Sequence, residues 1–172
     1  EDDIEITDLY DLVSNYVQNC NSVHSNRLFE YKGISRPAKV KIADYRVEQL
    51  LDKLIDNAID FSNEGSRIEV SIFSSEEGFT LTVANEGPKI PTDMLENVFD
   101  SMISIRETNP DNRLHFGMGL YVVRIIAKHH GGNAKAVNLS GGRGVKIDVI
   151  LPEFSELRPT SKTNSELNAQ KA

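Results

Sequence analysis

The stretch YRVEQLLDKLIDNAIDFS at positions 45–62 decides the fold. Val47, Leu51, Leu54, Ala58 and Phe61 recur at helical spacing and make one apolar stripe, so a long amphipathic helix is predicted from about Tyr45 to Ser62. Asn63, Glu64 and Gly65 end it. Asn57 interrupts an otherwise apolar and acidic pattern. It shares a flank of the helix with Lys53, Asp60 and Phe61, which stand on neighbouring turns. An amide oxygen there suits Mg²⁺, a hard cation that keeps phosphate and water oxygens as its other ligands. A surface polar residue at a helix end explains Asn57 equally well.

Outward from this helix, residues 67–73 and 79–84 alternate in the manner of strands, and Gly78 turns between them. An antiparallel pair is predicted. Upstream, Leu9, Leu12, Val13, Tyr16 and Val17 predict a helix over 8–23, with Thr7 as its N-cap. Residues 28–31 and 39–43 read as short strands around a Gly33–Pro37 turn. Downstream come a Gly/Pro loop at 85–91, a short helix at 92–101 and a loop at 102–116. That loop carries Asn109-Pro110-Asp111-Asn112, has no clear period, and is expected to be a mobile lid. A helix follows Gly119 and stops at Gly131–Gly132. Residues 134–139 and 144–151 make a last hairpin around Gly141, Gly142 and Gly144. Residues 1–154 are read as one domain and 155–172 as a disordered polar tail.

Two further segments suit chemistry. In Asn85-Glu86-Gly87-Pro88-Lys89-Ile90-Pro91 a polar side chain at a strand end can accept from an adenine amine, and Gly87 permits close approach of backbone to a base. A plain Gly-Pro turn is the alternative. Gly117-Met118-Gly119-Leu120 opens a helix, where free N–H groups and the helix dipole favour an anion. Many helix starts carry glycine without binding anything. Gly141-Gly142-Arg143-Gly144 reads mostly as a hairpin turn.

Composition sets limits. The chain has 172 residues, 39% hydrophobic and 26% charged, which suits one α/β domain. Its net charge of −7 argues against a general nucleic-acid surface. Cys20 is alone, so no intrachain disulfide can form. No apolar run approaches the length of a membrane span. The chain opens on Glu1, Asp2 and Asp3 without an initiator Met, so a fragment of a longer protein is expected, with any membrane anchor outside it.

The order of these segments is more specific than any of them. Leu54-x-x-Asn57-Ala58, a strand ending in Asn85-x-Gly-Pro-x-Ile-Pro, Val98-Phe99-Asp100, Gly117-x-Gly119-Leu120 with its following helix, and Gly142-x-Gly144 before Leu151-Pro152 resemble the N, G1, F, G2 and G3 boxes of histidine kinase catalytic domains. These belong to the superfamily that also holds gyrase, Hsp90 and MutL ATPases. The wording Phe-Asp-Ser-Met-Ile-Ser-Ile-Arg at 99–106 is similar to sensor kinases of dedicated sortase systems in marine bacteria.

The resemblance covers residues 8–152 and implies an α/β (α+β) two-layer sandwich, the Bergerat ATP-binding fold. Its sheet is mixed and mostly antiparallel, with three helices on one face. It implies ATP and Mg²⁺ as cofactors, with Asn57 as the Mg²⁺ ligand. Phe61, Asn85, Gly87 and Ile90 would surround the adenine. Gly117, Met118, Gly119 and Leu120 would lie at the phosphates, with Arg106 as a clamp from the lid. It also implies a histidine-bearing dimerisation domain upstream, a response regulator as partner, and a cytoplasmic location in an inner-membrane bacterial sensor.

The chain departs from the family at three places. Asn85 replaces the usual aspartate and brings an uncharged acceptor. Lys89 replaces the second glycine of that box. Lys53 stands where relatives carry Glu or Asn, and Asp60 where many kinases carry a base. Lys53 would then supply a phosphate-facing charge, or pair with Asp60 in solvent. Hydrolytic members need a carboxylate to activate water where this chain has Lys53. A degenerate nucleotide-binding module without kinase activity remains the other reading. None of His24, His115, His129 and His130 has the sequence context of a phosphoacceptor, which is expected upstream.

Overall fold

The apolar stripe of the long helix is its buried face. A computed structural model describes residues 5–100, 105–106, 113–114 and 118–155, the two short pairs as backbone only. Helix α2, Asp44–Phe61, buries Val47, Leu50, Leu51, Leu54, Ile55 and Ala58. Helix α1, Leu9–Val23, buries Leu9, Val13, Val17 and Cys20, and helix α3, Met118–His129, buries Leu120, Val123, Ile126 and Ala127. Gly131, with φ +77°, ends α3 as predicted.

These three helices cover one face of a five-stranded sheet. The strands are β2 (Leu28–Gly33), β4 (Arg67–Ser75), β5 (Gly78–Glu86), β8 (Asn133–Asn138) and β9 (Gly144–Leu151), in the order β2-β4-β5-β9-β8. Only the β2–β4 pair is parallel. The two-layer mixed sandwich expected from the sequence is therefore the observed architecture. Register sorts the helix-facing residues into rows. One row reads Gly33–Ile72–Leu81–Val149–Ala134, and the next reads Tyr31–Val70–Val83–Ile147–Ala136. The third row, at the end of the sheet, reads Phe29–Ile68–Asn85–Val145–Asn138. Two amides therefore interrupt this layer, both in its last row.

The other face of the sheet is polar. Lys32 pairs with Glu69 at 2.5 Å and Arg67 with Glu30 at 2.8 Å across β2 and β4. Thr82 donates to buried Asp148 at 2.7 Å, and Lys146 holds the other carboxylate oxygen at 3.0 Å.

Two local readings are corrected, and one strand is added. Thr7 does not cap α1. A strand missed in the sequence, β1 (Ile6–Asp8), pairs with β3 (Lys39–Lys41) and turns Thr7 inward, where it donates to the Ile42 carbonyl and bonds Asp44. The cap is Asp8, which accepts from the N–H groups of Tyr10 and Ala38. The strand read at 39–43 therefore lies outside the main sheet. Within the helix read at 92–101, residues 92–100 form two 3₁₀ turns, Thr92–Met94 and Asn97–Phe99, instead. Adjacent Val98 and Phe99 are both buried there, and Arg124 of α3 lies 4.0 Å over the Phe99 ring. Of the lid expected at 102–116, only the pair β6 (Ile105–Arg106) and β7 (Arg113–Leu114) is described. The rest of that segment, Gly117, the Arg106 side chain and the tail from 156 lie outside the described residues.

Candidate nucleotide site

The end of the sheet that carries the amide row meets the C-terminal half of α2. Between them lies a narrow cleft with about 10 Å³ of accessible volume, lined by Asn57, Phe61, Asn85, Pro88, Lys89, Ile90 and Val145. Asn57 and Phe61 come from the last turns of α2 because they lie one turn apart on its flank. Asn85 enters from the end of β5, buried, with its main chain committed to the sheet ladder. Its Nδ2 donates to the Glu86 carbonyl at 3.5 Å, which leaves the amide oxygen as an acceptor. The structure thus brings together four residues singled out from sequence: Asn57, Phe61, Asn85 and Ile90.

Gly87 has a reason for being glycine that the sequence did not show. A Cβ on it would stand 2.0 Å from the Phe61 carbonyl oxygen. The loop after β5 therefore lies directly on the end of α2, and the Gly87 N–H also donates to the Arg143 carbonyl at 3.1 Å. Lys89 is exposed and runs along the hairpin turn, its Cδ 3.9 Å from where Gly142 would carry a Cβ.

One turn before Asn57, Lys53 packs against the first turn of α3. Its Cδ and Cβ lie 3.7 and 3.9 Å from the Cβ position of Gly119. Gly119 is not among the glycines with positive φ, so left-handed backbone is not what this position needs. Lys53 and Asn57 form no hydrogen bond or ion pair with other described residues. A cation and the free N–H groups of a helix start thus lie side by side, the arrangement that attracts an anion. Leu120 is buried in the core, so only its backbone faces this region, and the Met118 side chain is exposed.

Residues 43–155 match the family described as "Histidine kinase-, DNA gyrase B-, and HSP90-like ATPase". The chain belongs to that ATPase family. It is 30% identical over 148 residues to the sensor protein KdpD of Clostridium acetobutylicum, covering 86% of this chain and 16% of that one. It is 32% identical over 123 residues to the sensor histidine kinase WalK of Bacillus subtilis, covering 70% of this chain and 20% of the relative. The chain thus spans a fifth or less of the length of these two relatives. Among solved structures, the mycobacterial sensor histidine kinase MprB superposes with a TM-score of 0.73 at 22% identity, covering 87% of this chain and 98% of that one. The catalytic domain of histidine kinase ThkA gives 0.73 at 23%, covering 88% and 96%. The fold is that of histidine kinase catalytic domains.

Three residues of this ATPase domain that hold the site in place were not singled out from sequence. Arg27 donates to the carbonyls of Ile59 and Ser62 at 3.4 and 3.2 Å, fixing the last turn of α2 beside Phe61. Arg124 bonds Glu96 and the Ala134 carbonyl while covering Phe99, so it ties the 3₁₀ segment to α3. Asn138 bonds the backbone of Ile90 twice. A signal for Asn138 was present: in Ala134-x-Ala136-x-Asn138 it is a polar residue at an inward position of a strand.

Proposed function

We propose that this chain is the Mg-ATP-binding catalytic domain of a sensor histidine kinase, passing the ATP γ-phosphate to a histidine on a helical dimerisation domain outside this chain. The observation that carries the reading is the convergence of Asn57, Phe61, Asn85 and Ile90 on one cleft, with Lys53 and the start of α3 beside it. Adenine would insert between Phe61 and Ile90 and donate its amine to Asn85. Lys53 and the N–H groups at Gly117 and Gly119 would meet the phosphates, with Arg106 as a further cation.

The donor set fits Mg²⁺. Asn57 offers a neutral amide oxygen with no other hydrogen-bond partner among the described residues, and no cluster of acids or histidines able to hold a metal occurs among them. The ion would take its remaining ligands from phosphate and water. When bound it supplies charge neutralisation for phosphoryl transfer.

Among the described residues no carboxylate lines the cleft. No general base for water is found among them there, which favours transfer to an external nucleophile over hydrolysis. Met118, Tyr121 and Ile125 form an exposed apolar stripe on α3 next to the phosphate side, a surface suited to a partner helix. A response regulator would take the phosphate in turn. No helix of the described residues is long and apolar enough to cross a membrane. The domain would sit in the cytoplasm, tethered to an inner-membrane sensor.

Asn57→Ala in the full-length protein should abolish autophosphorylation. It should leave thermal stability unchanged or slightly raised, because the side chain bonds nothing described and alanine favours helix by about 0.5 kcal/mol. Unfolding of the variant by several kcal/mol, or ATP hydrolysis that persists at full rate without Asn57, would refute the reading.

A further inference from the structure

The loop between β5 and the first 3₁₀ turn forms one wall of the cleft, and both its ends rest on the β8–β9 hairpin. At the near end Gly87 donates to Arg143, the residue just before β9. At the far end the Ile90 N–H donates to Asn138 Oδ1 at 2.9 Å, and Asn138 Nδ2 donates to the Ile90 carbonyl at 2.7 Å. One side chain saturates both main-chain groups of one residue, 48 positions away. Only Pro88 and Lys89 stand between the two anchors.

Chemistry restricts what can do this. The contact needs an acceptor and a donor in one plane, on a side chain short enough to leave the strand end. A carboxylate has no proton for the Ile90 carbonyl, whereas the planar amide presents a donor and an acceptor side by side. The reciprocal pattern also fixes which end of the amide is nitrogen. Asn138 stands in the same row as Asn85, two strands away, about 10 Å in the plane of the sheet. Asn85 thus lines the cleft, and Asn138 holds Ile90, another of its lining residues. Ile90 is 2% exposed and lines the cleft together with Phe61.

We propose that Asn138 is a positioning residue for nucleotide binding: by clamping Ile90 it sets the width of the base slot, and with it base affinity and base selectivity. The proposal rests on the nucleotide reading above. It assigns Asn138 no contact with the ligand.

The test uses this chain with Asn138→Ala and, as a same-size variant that keeps one acceptor and lacks the donor, Asn138→Asp. Calorimetric titration with ATP, ADP and GTP is combined with hydrogen exchange at the Ile90 amide. In both variants ATP and ADP affinities should fall by the same factor, about tenfold for the loss of the paired bonds. The preference for ATP over GTP should narrow, and the Mg²⁺ dependence should stay as in the unaltered chain. The Ile90 amide should exchange faster in Asn138→Ala. Faster exchange with unchanged affinity and unchanged base preference would make Asn138 merely structural and overturn the proposal. A loss confined to ATP and absent for ADP would also overturn it, since that places the effect at the terminal phosphate. If the unaltered chain binds neither ATP nor ADP, the nucleotide reading itself fails, whatever Ile90 does. Should Asn138→Ala not fold, Asn138→Asp decides alone.

Discussion

Gly87→Ala probes the junction between the base loop and α2. The new Cβ would stand 2.0 Å from the Phe61 oxygen and 3.2 Å from its carbonyl carbon, so carbon and oxygen must part by about 1.4 Å to reach ordinary contact. Neither side yields freely. The loop is held by Gly87 to Arg143 at 3.1 Å and by Asn138 to Ile90, and the end of α2 is held by Arg27. Relief therefore strains packing and breaks about one hydrogen bond, a loss of about 2 kcal/mol. In a domain of this size the melting temperature should fall by about 5 °C. The base slot shares the same junction, so Mg-ATP affinity should drop at least tenfold at a temperature where the variant is still folded, a change of about 1.4 kcal/mol. Thermal denaturation followed by calorimetric titration reads both numbers. A variant with unaltered melting temperature and unaltered affinity would show that loop and helix are not fixed to one another, and the geometric account of Gly87 would fall.

Gly119→Ala should behave in the opposite way. Its Cβ would meet Lys53 at 3.7 Å, ordinary contact, so the helix should gain up to about 1 kcal/mol while ATP binding weakens from a methyl group in the phosphate path; equal ATP affinity would remove the first turn of α3 from the site. Cys20 gives a pH signature. Burial, with Asp52 nearby, pushes its thiol from 9.0 to about 11, so the unfolded chain loses this proton first. Stability should hold below about pH 9 and fall as the pH rises towards 11, and Cys20→Ala should flatten the part of that fall due to the thiol. Denaturant midpoints between pH 7 and 10.5 measure it, and parallel pH profiles for the two proteins would contradict it.

Much of this fold was legible because its signals are local. The stripe Val47, Leu51, Leu54, Ala58 and the alternation in 67–73, 79–84 and 144–151 each need only neighbouring residues to be read. Strand β1 was not legible: three residues hold no period, and its partner Lys39–Lys41 lies some thirty positions on. The 3₁₀ turns at 92–99 were not legible either, since Arg124 over Phe99 is a tertiary contact. In the site, Asn57, Phe61, Asn85 and Ile90 could be named from box order alone. The reason for Gly87 could not, because the obstacle is the backbone of Phe61 in another element. Asn138 escaped notice because a hairpin turn accounts for its glycine-rich surroundings, and only three-dimensional structure puts it beside Ile90.

The far face of the sheet decides where other molecules can come from. Lys32, Glu69, Arg67 and Glu30 cross-link β2 to β4 there, and Thr82, Asp148 and Lys146 link β5 to β9. The exposed pairs between β2 and β4 add little stability. Their effect is exclusion: covering them with an apolar layer would strip water from charges that are already paired, at a cost nothing apolar returns. Among the described residues no helix covers that side. On the proposed reading, a helical acceptor domain would meet the helix-bearing side, where α3 shows its apolar stripe. The charged strands would then act as a guide rail, turning an undirected encounter into one with a preferred side.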